Sequence, residues 1–307
     1  MRFIPALIIV IFAVTLAAEA KVADFFIDSS KTDGWYVKAS LYEKDGNLEE
    51  ASKLLEVVLE SVNDEYIYLK LADIYKRLSD REMTVFTLQR GLREIPDSHT
   101  LMGALADQYR ADIEHVKKAI ELYHKAYELS GDDKYALGEA ITYAALKDYN
   151  SAIKIFDSLI EKEGKSDYYL NRARYYEKLG LEQESISDYV KAVEIDNNFI
   201  AAAKLADHYV ETGENQLAIK YLKVVLRESP SLTIAKFRLA ELLRKMGKTD
   251  EAQQYYTDIL EFLNEKEQIY VYKQLASISF NNKDFEKAEE YFQKAYEIDQ
   301  DIKTAYS

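Results

Sequence analysis

Cysteine is absent from this sequence of 307 residues, and histidine occurs only four times. The absence of cysteine excludes disulfide bonds, and it excludes the lipid-bearing cysteine that a bacterial lipoprotein requires. A glycine-rich phosphate loop and a serine-nucleophile elbow are also missing. We therefore expect neither an enzyme nor a bound cofactor. A chance metal site stays open as an alternative, because His115, Glu121 and His124 could lie close together, although they lack the paired spacing of known metal motifs.

Positive charge is also in short supply. The chain has 40 Lys and Arg residues against 54 Asp and Glu residues, which gives a formal net charge of −14. The acidic residues are spread along the chain, and no basic patch interrupts them. Such a balance repels polyanions. It argues against nucleic acid and anionic lipid as partners and favours a simple role in solubility.

Long apolar runs are missing except at the start of the chain. Met1 and Arg2 precede an apolar run over residues 3–18, and Ala18-Glu19-Ala20 follows. This order is typical of a secretory signal peptide, so we expect cleavage after residue 20 and an exported, periplasmic protein without an integral membrane segment. An uncleaved membrane tether is the alternative, but the run is shorter than the about 20 residues that a spanning helix needs.

Small residues recur through the rest of the sequence at a nearly constant interval. Alanines follow one another at spacings of 33 to 36 residues, which indicates one supersecondary unit copied many times. A second small residue follows each alanine after twelve residues, or after thirteen in the third copy. The alanines are Ala39, Ala72, Ala106, Ala140, Ala173, Ala206, Ala240 and Ala276. The second small residues are Ala51, Thr84, Ala119, Ala152, Ser185, Ala218, Ala252 and Ala288.

Helix-breaking residues separate the apolar stretches of each copy. The stretches between them have helical apolar spacing, and none has the pattern of a strand. The pattern of each copy therefore predicts two antiparallel helices joined by a tight turn. In the third copy this turn should contain one extra residue. The breakers within copies are Gly46, Gly180, Gly213 and Gly247, and those near copy ends are Pro96, Gly131, Gly164 and Pro230.

These landmarks together resemble the tetratricopeptide repeat. The first copy shows Trp35, Ala39, Tyr42, Gly46, Ala51 and Leu55 in the order of that repeat. The resemblance implies an all-α, right-handed superhelical α-solenoid of eight helix-turn-helix repeats over residues 32–300. Residues 21–31 would then cap the first repeat, and residues 301–307 would form a short C-terminal tail.

The resemblance also implies a concave groove lined by the first helix of each repeat. In this family the groove-facing positions lie six and three residues before the first alanine, and one and four residues after it. The fourth repeat would supply an apolar floor, Leu137, Ile141 and Ala144, between two arginines. These side chains could instead be hidden against the neighbouring helix. The predicted partner-binding residues are Tyr66, Leu69, Asp73, Gly103, Asp107, Arg110, Leu137, Ile141, Ala144, Leu170 and Arg174.

The combined expectation is a non-enzymatic adaptor of the cell envelope that binds a protein or peptide in this groove. Two alternatives remain open. One is a self-assembling scaffold, in which the C-terminal face near Tyr296 and Ile298 pairs with a second copy. The other is a glycan-binding protein that stacks sugar rings on Tyr36, Tyr66 and Tyr270.

Overall fold

The computed structural model describes the backbone of residues 32–305 and the side chains of residues 33–300. The predicted signal peptide, residues 1–20, and the predicted cap, residues 21–31, lie outside this range and stay predictions. Across the described backbone, no helix has both the length and the apolar character needed to cross a bilayer.

Residues 32–305 fold into sixteen α-helices, with no strand among them. A short 3-10 turn, Leu260–Phe262, follows the fourteenth helix. The helices are α1 Thr32–Lys44, α2 Leu48–Leu59, α3 Glu65–Arg77, α4 Arg81–Glu94, α5 His99–Tyr109, α6 Val116–Ser130, α7 Asp133–Ala145, α8 Tyr149–Lys162, α9 Ser166–Leu179, α10 Glu182–Asp196, α11 Phe199–Glu211, α12 Asn215–Glu228, α13 Thr233–Lys245, α14 Thr249–Ile259, α15 Glu265–Asn281 and α16 Phe285–Ala305.

Within each unit described below, odd-numbered helices pack against the even-numbered helices that follow them, as α1 does with α2 and α15 with α16. The order of the sixteen helices confirms the predicted all-α fold of eight helix-turn-helix repeats. The last helix continues to Ala305, so the expected tail after residue 300 is largely helical. The chain divides within α8 into two compact units, residues 1–155 and residues 156–307. We call them unit 1 and unit 2 and describe each by itself.

The periodic small residues lie where the two helices of a repeat meet. All eight first-helix alanines are buried, and so are the eight small residues on the second helices. A side chain no larger than serine or threonine lets the two backbones approach closely, and the neighbouring large side chains then fill the remaining space. In unit 1 these include Leu55, Leu88 and Tyr123; in unit 2 they include Tyr189 and Tyr256.

The turn inside each repeat except the third has one residue in the left-handed region. The N–H of the next residue donates to a carbonyl at the end of the first helix, as Glu214 N–H does to the Tyr209 oxygen at 2.8 Å. Glycine suits this conformation because it has no Cβ. The predicted glycines Gly46, Gly180, Gly213 and Gly247 occupy it with φ between 73° and 80°. The same place is held by Ser79, Lys147 and Lys283 at φ of 62° or 63°.

The turn of the third repeat is longer than the others, as its extra residue predicted. It spans residues 110–115, because α5 ends early at Tyr109. Asp112 holds the turn together: its carboxylate accepts from Arg81 at 3.1 Å, from His115 at 3.0 Å and from the N–H of Glu114 at 3.0 Å.

Three glycines inside the helices of unit 1 make room for tyrosine rings. A Cβ on Gly91 would meet the Tyr68 ring, and one on Gly138 would meet the Tyr123 ring at 2.6 Å. Gly103 is the tightest of the three, because the Tyr135 ring lies directly on its Cα. The missing side chain is therefore part of the packing within the second repeat at Gly91 and between neighbouring repeats at Gly103 and Gly138.

Replacing a strained turn residue by glycine should stabilise the protein. A non-glycine residue in the left-handed region costs about 1–2 kcal/mol. Glycine relieves this strain, but it also gives the unfolded chain more conformational freedom, which offsets part of the gain. We therefore expect Lys147→Gly to raise the free energy of unfolding by about 0.5–1 kcal/mol. The matched change Gly213→Ala should lower it by about 1 kcal/mol. Chemical denaturation measures both, and a loss of stability in Lys147→Gly would contradict this turn geometry.

Filling the tyrosine-lined space at Gly103 should destabilise the protein. Alanine is a better helix former than glycine by about 1 kcal/mol. Even so, the clash with the Tyr135 ring should make Gly103→Ala cost about 1–3 kcal/mol in thermal or chemical unfolding. Gly164→Ala is the control, because its Cβ would find its nearest neighbour at 3.7 Å, and it should change stability by less than about 0.5 kcal/mol. Equal effects at the two sites would be inconsistent with this packing.

Candidate functional site

The first helices of successive repeats lie side by side within each unit. In unit 1, Tyr36 on α1 meets Tyr66 on α3 edge to face, with ring centroids 6.4 Å apart. Farther along, His99 Nδ1 on α5 lies 3.0 Å from the Tyr135 hydroxyl on α7. We call the surface formed by the groove-facing positions of α1, α3, α5 and α7 the unit 1 face. The corresponding surface of α9, α11, α13 and α15 is the unit 2 face.

The unit 1 face presents most of its predicted residues to solvent. Tyr66 is 58% exposed and Ile141 is 47% exposed, so neither is hidden against a neighbouring helix. Leu69, Leu137 and Ala144 are half-buried around them. The predicted polar residues Asp73, Asp107 and Arg110 are also exposed. The face therefore offers apolar side chains with polar groups beside them, although their binding role stays a prediction.

Two predicted binding residues are corrected by the structure. Gly103 is buried because the Tyr135 ring covers it, so it contributes packing and not an open floor. Leu170, on the first helix of the fifth repeat, is only 4% exposed and belongs to the core cluster of unit 2 with Ala173 and Tyr189. Neither residue has a surface that a partner could contact. Arg174, on the same helix as Leu170, is exposed and its guanidinium lies 3.4 Å from Asn171 Oδ1.

Most anionic groups of the unit 1 face are paired within the protein. Glu43 accepts hydrogen bonds from Lys70 and, at 2.6 Å, from Arg77. The hydrogen bond from Lys70 is the main reason that the pKa of Glu43 is lowered. Arg77 also lies 3.8 Å from the carboxylate of Asp73.

Asp107 on α5 accepts a hydrogen bond from the Tyr123 hydroxyl on the second helix of the same repeat. Burial raises the pKa of Tyr123, and the bond to Asp107 raises it further, so the hydroxyl keeps its proton and remains a donor. Arg110, at the end of the same helix, forms no ion pair with the described residues. An exposed cation is thus left beside the apolar side chains of this face.

The unit 2 face carries exposed apolar side chains at one repeat position of three consecutive copies, of which the sequence singled out only Tyr270, as a candidate for sugar stacking. Ile200 on α11, Ile234 on α13 and Tyr270 on α15 hold the same repeat position, six residues before the first alanine. They are 36%, 58% and 40% exposed, respectively. Val210 and Phe280 are exposed farther along α11 and α15. The sequence signal was an apolar residue at one repeat position in three consecutive copies.

Two acidic groups of the unit 2 face, Glu241 and Asp207, are paired as well. The carboxylate of Glu241 accepts from the hydroxyls of Tyr256 and Tyr270, the latter at 3.0 Å, and from Arg244 at 3.2 Å. Burial alone would raise the pKa of Glu241, but these hydrogen bonds outweigh it and lower the pKa. Asp207 pairs with Arg238.

Two other surfaces bear on the predictions. An open pocket of about 650 Å³ lies beside the long turn of the third repeat, between Phe86 and the stacked rings of Tyr109 and His115, whose centroids are 4.8 Å apart. Arg81 and His115, which line it, both contact the carboxylate of Asp112. On the last helix, Tyr296 is exposed and Ile298 is half-buried, and self-association through them stays a prediction.

Solved structures with a similar fold include a tetratricopeptide repeat protein from Parabacteroides merdae. The two proteins are 17% identical in sequence. The structural match covers 75% of this chain and 91% of the Parabacteroides merdae protein, with a TM-score of 0.46. MamA, known from a crystal structure, is 20% identical in sequence to this chain. The match covers 54% of this chain and 96% of MamA, with a TM-score of 0.40.

A TPR repeat-containing protein of Methanocaldococcus jannaschii is 25% identical over 251 residues. The match covers 78% of this chain but only 38% of that relative. Superkiller complex protein 3 of Homo sapiens is 24% identical over 283 residues, which cover 77% of this chain and 18% of the human protein. The chain therefore spans well under half of the length of these relatives.

Family models described as tetratricopeptide repeat match five segments of the chain. The segments are residues 32–61, 136–166, 166–199, 235–261 and 269–302, and together they cover just over half of the chain. Each segment lies within the helix pairs described above. The chain belongs to the tetratricopeptide repeat family.

Proposed function

We propose that this protein is a non-enzymatic adaptor of the cell envelope that binds a protein or peptide on its unit 1 face. The observation that carries this proposal is the solvent exposure of Ile141 and Tyr66 on first helices of the same unit. Exposed apolar groups beside half-buried ones, with polar groups nearby, are the usual composition of a protein-binding surface.

The geometry supports binding of an extended peptide or one face of an amphipathic helix. Ile141 and Tyr66 would bury apolar side chains of the partner. Arg110 would pair with an acidic group and fix the orientation, since the nearby Asp107 is bonded to Tyr123. Tyr36 contacts Tyr66 edge to face, so these two rings do not make the flat platform on which a sugar would stack across both.

The envelope location rests on the sequence. An apolar run followed by Ala18-Glu19-Ala20 is the pattern that a signal peptidase cleaves. An adaptor in that compartment would serve envelope assembly, secretion or the building of a surface structure.

Site-specific photocrosslinking in the native host tests the proposal. A photoreactive residue at Ile141 should yield one dominant adduct with an envelope protein. The control position is Lys117, which is exposed on the second helix α6 and should not give that adduct. Adducts of equal strength at both positions, or none at Ile141, would contradict binding on the unit 1 face. Adducts only with further copies of the chain would favour the scaffold instead.

A binding measurement with the captured partner extends this test. Ile141→Asp places a charge where an apolar contact is expected, so it should weaken the affinity at least about tenfold, equivalent to about 1.4 kcal/mol. Lys117→Asp should leave the affinity unchanged. Both side chains are exposed, so both variants should melt like the unmodified protein, and an unaltered affinity in folded Ile141→Asp would overturn the assignment.

A further inference from the structure

We propose that two copies of this chain associate through the long turn of the third repeat, with the Ile113 side chain of each copy seated in the pocket beside the turn of the other. Neither Ile113 nor any residue that lines this pocket belongs to the unit 1 face or the unit 2 face. The association is therefore separate from the proposed binding of a partner.

The tip of the turn carries an apolar side chain. Ile113 is 92% exposed, more than any other large apolar side chain in the described part of the chain. In the other seven repeats the left-handed turn residue is glycine, serine or lysine, as is usual for turns. Ile113 does not line the pocket of its own chain. It contributes almost no packing there, but it offers an apolar contact to another molecule.

The pocket beside the turn suits such a side chain in its lining. Apolar and aromatic side chains, Met83 and Phe86 on α4 and Tyr109 at the end of α5, account for much of its surface. Phe86 is 47% exposed, so its ring is open to a group that enters from solvent. The volume of about 650 Å³ leaves room for an isoleucine side chain together with the backbone of a turn.

The polar groups of the pocket are largely paired with one another. The carboxylate of Asp112 accepts from Arg81 at 3.1 Å and from His115 at 3.0 Å. Gln89 donates to the Tyr109 hydroxyl at 2.5 Å. A polar ligand would have to compete with these bonds, whereas an apolar side chain leaves them intact. The pocket therefore favours an uncharged, apolar occupant.

The projecting side chain and the pocket lie side by side, which suits a two-fold pair. Asp112 and His115 line the pocket, and Ile113 lies between them in the same turn. In a two-fold interface the same patch of both copies takes part. A projecting group beside a hollow can then fill the partner's hollow while its own hollow is filled. Such an association closes at two copies and needs no second surface.

Local charge permits this contact, although a chain with a net charge of −14 repels a second copy overall. Two acidic and two basic side chains flank the turn and the pocket, all of them exposed and none in an ion pair with the described residues. They are Glu82, Glu114, Lys117 and Lys118. A patch with both signs can complement itself across a two-fold axis, with acids of one copy beside lysines of the other.

Disulfide trapping between two single-cysteine variants tests the contact, because the natural chain has no cysteine. Ile113→Cys and Met83→Cys, each purified from the native host, are mixed in equal amounts and treated with oxidised glutathione. A disulfide requires close approach of the two side chains. Mass spectrometry should show that the mixed disulfide is well above the proportion expected for random pairing. Ile234→Cys mixed with Met83→Cys is the control, and it should show random pairing only.

Analytical ultracentrifugation measures the association without any cysteine. Because the contact is small, we expect a weak dimer that forms as the concentration rises. Ile113→Asp should raise its dissociation constant at least about tenfold, whereas Ile234→Asp should change it by less than about twofold. Both side chains are exposed, so both variants should melt like the unmodified protein.

A charge exchange tests the flanking residues. Glu82→Lys and Lys118→Glu should each weaken the dimer, because each places like charges opposite one another across the two-fold axis. The two changes together should restore it. Two weakening effects that simply add would contradict the proposed arrangement of the two copies.

Two further outcomes would overturn the proposal. One is a dimer that survives Ile113→Asp, which would place the contact elsewhere, for example near Tyr296. The other is a protein that stays monomeric at high concentration and gives only random disulfides. A small molecule on that monomer, detected by native mass spectrometry, would assign the pocket to a ligand instead. Crosslinking at Ile141 takes no part in these tests, so their failure is distinguishable from failure of the proposed function.

Discussion

Close contact between two helices at a small side chain is the constraint on which the rest of this structure depends. Each repeat has one such residue on its first helix and one on its second, and all sixteen are buried. Because a repeat of two helices cannot bury its apolar surface alone, neighbouring pairs within a unit also pack against each other. Once the small residues point inward, the rotation of every first helix is fixed, and so are the side chains that it presents to solvent.

The surface chemistry follows from that rotation. Several acids at groove-facing positions are paired with a hydroxyl or a cation of the same unit, as Asp107 is with Tyr123 and Glu241 with Tyr256. The exposed apolar side chains and a few unpaired cations remain available. A protein with a net charge of −14 can therefore present locally apolar and cationic surfaces to a partner.

The fold could be predicted from the sequence because its determinants repeat. A small residue or a bulky residue is ambiguous once but not in eight copies at nearly one spacing, and a turn glycine recurs in four of those copies. The exposure of the predicted binding residues was anticipated only in part. Ile141 is exposed as expected, but burial of Gly103 depends on the position of the Tyr135 ring, and Leu170 is drawn into the core of unit 2. Spacing along the sequence gives the repeat position of a residue but not which neighbouring ring covers it.

The register of the repeats is the central claim, and a matched pair of substitutions on α7 tests it most directly. Ala140 is fully buried at a helix contact, whereas Ala145 at the end of the same helix is exposed. Denaturant unfolding should show that Ala140→Val lowers the free energy of unfolding by about 1–3 kcal/mol. Ala145→Val should change it by no more than about 0.5 kcal/mol. Equal effects, or a larger effect at Ala145, would mean that α7 is rotated differently and that the unit 1 face is misassigned.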